Sequence, residues 1–134
     1  KVFNYARSKG MLVVVSAGNA ATDLDHDGNS YKSYCSTPST VCVSATGPSS
    51  SADFYWGPWD NVDALAYYSN FGRSAINVAA PGGNSGGTVW AACSQTSLLI
   101  PCYDGVYVLG LGGTSMAAPH VSGVAALIAG RSHL

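Results

Sequence analysis

Three observations predict an α/β fold built on a parallel sheet. A short amphipathic stretch ends at Gly10 and runs straight into the apolar, β-branched Met11-Leu12-Val13-Val14-Val15. Similar short apolar runs recur at Val41–Ala45 and Ile76–Ala80, separated by polar, glycine-rich segments. The chain then closes on a long apolar stretch that follows Gly112-Gly113. Continuous apolar strands alternating with helical patterns are what parallel sheets produce, because helices cover both faces of the strands.

The elements follow in order. Over Lys1–Lys9, Val2, Tyr5 and Ala6 fall on one side of a helix and Lys1, Asn4 and Arg7 elsewhere. Gly10 fits the position just past such a helix, where positive φ is needed. A helix feeding a buried strand is half of a crossover, so the expectation is that the chain starts inside a larger α/β unit. Ser16-Ala17-Gly18-Asn19 leaves the C-terminal end of that strand, the end at which open α/β sheets bind ligands. Asp23–Ser36 is polar and turn-rich, and Gly47–Asp63 reads as a loop. The third strand stops at Pro81-Gly82-Gly83. Cys93–Cys102 reads as a stapled loop or hairpin, and Tyr107-Val108-Leu109 as a strand edge. Met116–Ala129 is apolar nearly all round, so this helix is expected to be central and buried. Thr114 or Ser115 occupies its N-cap position. Pro119 lies near the end of its first turn.

Composition narrows the function. The 134 residues are 47% hydrophobic and 10% charged, with a formal net charge of −1. No basic patch exists to follow phosphates, which argues against nucleic-acid partners. No apolar run reaches the roughly 18 residues of a membrane span, so no membrane partner is expected. All acidic residues are Asp, and surface polarity falls to Ser, Thr, Asn and Gly. The four cysteines form two local pairs, Cys35/Cys42 and Cys93/Cys102, with neither C-x-x-C spacing nor a neighbouring histidine. Two disulfides and a secreted or extracellular location follow from that reading. Four reduced thiols are the alternative.

Ser115 opens the apolar helix directly behind glycines. Such a position lets a substrate approach the backbone closely. It also offers unpaired helix N–H groups to a developing negative charge. An ordinary capping serine would look the same in isolation.

The longer motif decides between these readings. Gly113-Thr114-Ser115-Met116-Ala117-Ala118-Pro119-His120-Val121-Ser122-Gly123 resembles the nucleophile signature of the subtilisin-like serine peptidases, family S8. Val13–Asn19 resembles that family's strand ending in the oxyanion-hole asparagine. Pro38–Ala45, Tyr68-Ser69-Asn70-Phe71-Gly72 and Val78-Ala79-Ala80-Pro81-Gly82 resemble the blocks between, in the correct order. The resemblance implies part of a parallel-sheet subtilisin-like fold, with its buried central helix starting at the nucleophile.

It also implies a serine endopeptidase acting on protein or peptide substrates. Ser115 would be the nucleophile, Asn19 an oxyanion donor together with the Ser115 N–H, and the backbone of Ser16, Ala17 and Gly18 one wall of the substrate pocket. No cofactor is required for that chemistry. In the family the order is Asp, His, Ser, and the first two blocks precede the asparagine. The residues before Asn19 contain neither Asp nor His. Residues 1–134 are therefore expected to be the C-terminal part of one peptidase domain, with the missing N-terminal part as partner, and to be inactive alone. A non-catalytic, peptide-binding relic is the alternative. An α/β-hydrolase elbow is set aside, because that fold needs an Asp after the Ser and none follows Asp104.

Two other groups are candidates. Asp23, Asp25 and Asp27 alternate and are followed by Gly28, a spacing that calcium loops use, so structural calcium is the one metal candidate. The acid expected at the twelfth place is replaced by Tyr34, and a solvated acidic loop is the competing reading. Phe54, Tyr55, Trp56, Trp59, Tyr67 and Tyr68 form an aromatic group that either packs a long surface segment or binds substrate.

Overall fold

The computed structural model describes residues 1–28, 30–31, 33–53, 56–98 and 101–131. Asn29, Phe54, Tyr55 and His133 lie outside them.

Helix α1 spans Val2–Ser8 and ends at Lys9. Gly10 follows at φ +79°. The Gly10 N–H bonds the Arg7 carbonyl at 2.9 Å and the Met11 N–H bonds the Ala6 carbonyl at 3.1 Å. This is a Schellman closure, which satisfies two orphan carbonyls and turns the chain into β1, Val13–Ser16. The Phe3 and Tyr34 rings meet edge to face, 5.3 Å between centroids, and pin α1 to the short 3₁₀ turn Tyr34–Ser36.

Strand β2, Thr40–Thr46, lies at the centre of a parallel sheet. β1 flanks it in the register Val13↔Thr40 to Ser16↔Val43. Further along the chain come the short strands β3, Ser50–Ser51, and β4, Trp59–Asp60. They pair antiparallel within the segment expected to be a loop. Strand β5, Val78–Pro81, completes the parallel sheet on the other side of β2, in the register Val43↔Val78 to Thr46↔Pro81. The α/β class with a parallel sheet is therefore present.

Strands β6, Val89–Ala92, and β7, Val108–Leu111, form an antiparallel hairpin. The Cys93–Cys102 disulfide lies just beyond the last pair, Ala92↔Val108, in the connection between the strands. The other disulfide joins Cys35 to Cys42, so both cysteine pairs are as expected.

Helix α2 spans Thr114–Arg131. Ala117 is fully buried with Val43, Ala45 and Ala66, and Ala118 and Val121 pack against this core. The expectation of a buried helix holds only for this N-terminal part. Val124, Leu127 and Ile128 are 57%, 72% and 64% exposed. An all-round apolar pattern records that a helix has apolar neighbours without naming them. Here the sheet covers α2 only as far as Val121, and the helix runs about 15 Å further. Burial on both sheet faces is similarly confined to β2, where Cys42–Ala45 are buried.

Candidate functional site

β1 and α2 meet at Asn19 and Thr114. The Asn19 side-chain oxygen accepts the Thr114 N–H at 2.9 Å and the Thr114 hydroxyl at 2.8 Å. A backbone N–H can only donate, so this contact fixes which end of the amide faces Thr114. The Asn19 Nδ2 must then point away, where no partner meets it among the described residues. The Thr114 hydroxyl, buried, also accepts the Gly18 N–H at 3.1 Å. One hydroxyl thus receives one bond and gives another, and it ties the two segments together across 95 residues of sequence.

This arrangement changes the reading of the cap. The helix begins at Thr114, so neither Thr114 nor Ser115 caps it. Asn19 supplies the capping oxygen from across the sheet. The Met116 N–H is taken by the Gly113 carbonyl at 2.9 Å. Between them, the Ser115 N–H has no partner among the described residues. Two donors, Asn19 Nδ2 and Ser115 N, are therefore left open at the positive end of a helix. A side chain at Gly113 would put its Cβ 3.3 Å from Asn19 Nδ2, so glycine keeps the space in front of that donor clear.

The glycines are held from below. The Gly113 N–H bonds the Gly82 carbonyl at 2.8 Å. The Tyr68 hydroxyl, with one proton to share, lies 2.8 Å from the same carbonyl and 2.6 Å from that of Gly83. Burial raises the Tyr68 pKa above its usual 10, so the phenol stays a donor.

Ser115 is exposed on a groove of about 390 Å³ that Trp90, Met116 and His120 help to line. His120 makes no hydrogen bond to Ser115 among the described residues. Its Nδ1 lies 2.8 Å from the Met116 carbonyl on its own helix. Pro119 has no N–H, so the Ser115 carbonyl lacks its usual helical donor.

Ser16, Ala17 and Gly18 are not among the residues lining the Ser115 groove, and the polar backbone groups of Ala17 are spent within the fold. The Ala17 N–H bonds Val43 and the Ala17 carbonyl accepts Asn70 Nδ2, both at 2.9 Å. Gly18 has φ +102°, and the Tyr31 hydroxyl occupies the place a Cβ would need.

Asn70 is the positioning residue that sequence reasoning passed over. Fully buried, its side-chain oxygen accepts the N–H groups of Ala20 and Thr22 at 2.9 and 3.0 Å. With the bond to Ala17, it clamps the loop carrying Asn19 from both sides. The Tyr68–Gly72 block held the clue, but only the fold brings it to this loop.

The three carboxylates of the acidic loop turn to different partners. Asp25 accepts the N–H and hydroxyl of Ser74 at 2.9 and 2.7 Å and the Ala75 N–H at 3.0 Å, which hold its pKa below 3.8. Asp23 pairs with His26 at 2.8 Å and raises the histidine's pKa above 6.5. Asp27 accepts the Tyr31 N–H at 2.9 Å. Among the described residues, no three such groups are gathered around a common point. A cavity of about 560 Å³ lies near this loop, between Leu24, Tyr31, Pro38 and Asn77, and does not include Ser115.

Residues 1–133 match the subtilase family, Peptidase_S8. Thermitase of Thermoactinomyces vulgaris is 34% identical over 96% of this chain and 35% of its own length. Proteinase T of Parengyodontium album is 36% identical over 92% of the chain and 31% of its own length. An extracellular protease of Xanthomonas campestris is 36% identical over 93% of the chain and 17% of its own length. The chain thus spans about a third or less of these relatives. The crystal structure of a lanthipeptide protease superposes with a TM-score of 0.71 at 27% identity, over 94% of this chain and 38% of that one.

Proposed function

Since the chain belongs to the subtilase family, we propose that it carries the nucleophile and the oxyanion-binding part of a serine endopeptidase site. Ser115 Oγ attacks the scissile carbonyl carbon. The carbonyl oxygen, gaining negative charge, accepts Asn19 Nδ2–H and the Ser115 N–H. The tetrahedral intermediate collapses to an ester on Ser115, the leaving amine departs with a proton, and water hydrolyses the ester. Ser16, Ala17 and Gly18 form a wall of the pocket beside the bond.

The Asn19–Thr114 pair supports this reading most. With its oxygen held by Thr114, the Asn19 amide N–H is left open 3.3 Å from where a Cβ on Gly113 would stand, and the Ser115 N–H is open as well.

The general base is supplied by residues beyond this chain. No hydrogen bond joins His120 to Ser115 among the described residues, and no other described histidine lines the Ser115 groove. The chain alone is therefore expected to be inactive, because positioned proton transfer contributes about 10²–10⁴-fold. Two disulfides and the Asp-only acidic composition support secretion.

A fluorophosphonate probe tests the proposal. The peptidase that contains this chain is expected to be labelled at Ser115, and the isolated chain is not. Folded, intact protein that resists labelling would leave a peptide-binding relic as the better reading.

A further inference from the structure

A second cleft, of about 380 Å³, is lined by Pro48, Trp59, Val62, Pro81, Val89 and Trp90 among others. None of its lining residues is charged. Val89 and Trp90 of β6 line both clefts, so the two adjoin the same strand. Trp59 and Trp90 are 45% and 48% exposed, which leaves large apolar ring faces open to solvent. Trp59 Nε1 has no acceptor among the described residues.

Trp90 is preset in this position. It lies directly opposite Gly110 across the hairpin. A Cβ on Gly110 would sit 3.0–3.1 Å from carbons of the Trp90 ring. The ring therefore rests on the bare glycine backbone, and a ligand meeting it loses little further side-chain freedom.

We propose that this cleft is a subsite for an aromatic or large aliphatic side chain of the polypeptide substrate, at a distance from the bond that Ser115 attacks. The neutral lining and paired indoles select an uncharged apolar group. The open Trp59 N–H can accompany it by donating to a peptide carbonyl. This inference rests on Ser115 being the nucleophile.

The test uses the peptidase that contains this chain. Decapeptides carry Ala at every position beyond the scissile pair, and a single Phe is moved along them. One Phe position is expected to raise kcat/KM about tenfold over the all-Ala peptide. Trp59→Ala should collapse that ratio towards one, and Trp59→Phe should preserve most of it. Trp59→Leu replaces the Ala variant if the latter does not fold. In Ser115→Ala enzyme, the preferred Phe peptide should also shift the Trp59 indole N–H resonance, and the all-Ala peptide should not. If Ser115 labels with fluorophosphonate but no Phe position changes kcat/KM or that resonance, the subsite is wrong and the nucleophile stands. If Ser115 does not label, the nucleophile fails, and the indole titration decides the cleft alone.

Discussion

Thr114 grips the side-chain oxygen of Asn19 twice, through its backbone N–H at 2.9 Å and its hydroxyl at 2.8 Å. The backbone bond survives any substitution except proline. The hydroxyl bond does not, and the hydroxyl also receives Gly18.

Thr114→Val keeps the shape and removes the hydroxyl. Asn19 then keeps one anchor of two, and its amide N–H swings over a wider range. Losing one hydrogen bond of ordinary strength, about 1 kcal/mol, corresponds to a several-fold fall in kcat. KM should change little, and Thr114→Ser should restore the rate. Steady-state kinetics on the complete peptidase checks this. An unchanged kcat in Thr114→Val would show that the backbone bond is sufficient.

Much of the fold could be read from the sequence because its signals are local. Gly10 marks a helix end through its own φ, and the valine run of β1 marks a strand, although its residues are only half-buried. The site was legible for another reason, since Ser115 and Asn19 each sit inside a long motif. The clamp by Asn70 was not, because a buried amide earns its partners only once the Ala17–Thr22 loop folds onto it. Nor was the exposure of Val124, Leu127 and Ile128, because periodicity records apolarity and says nothing about what covers it. The β3–β4 ladder was missed because two-residue strands carry no periodic pattern.

The acidic loop should respond to pH in two directions. Asp25 has a folded pKa below 3.8, so its bonds to Ser74 and Ala75 stabilise the fold above that value. They are lost as pH falls through the lowered pKa. The Ser74 amide resonance should therefore titrate with a midpoint below 3.8. His26 behaves oppositely. Its pKa is raised above 6.5 by Asp23, so that pair contributes fully below 6.5 and is lost as pH rises through the raised value. A histidine ring midpoint at or below 6.5 would contradict the pairing.

The two disulfides close short loops, with sequence separations of 7 and 9. Loop-closure entropy predicts roughly 2–3 kcal/mol for each. Non-reducing peptide mapping should recover Cys35–Cys42 and Cys93–Cys102, and each Cys-to-Ser pair should lower the melting temperature. Crossed pairs in the peptide map would contradict the fold around the 3₁₀ turn and the hairpin.

The proposed chemistry depends on Asn19 acting in the transition state. The direct measurement is kcat and KM for Asn19→Ala in the complete peptidase, with Ser115 active-site titration to count functional sites. The expected result is a fall in kcat of about 10²–10³ with KM nearly unchanged. That magnitude is borrowed from the oxyanion-hole asparagine of subtilisin, itself a member of this family, and is not calculated from these distances. A variant that keeps its kcat, or loses rate only through KM, would contradict the assignment of Asn19 as an oxyanion donor.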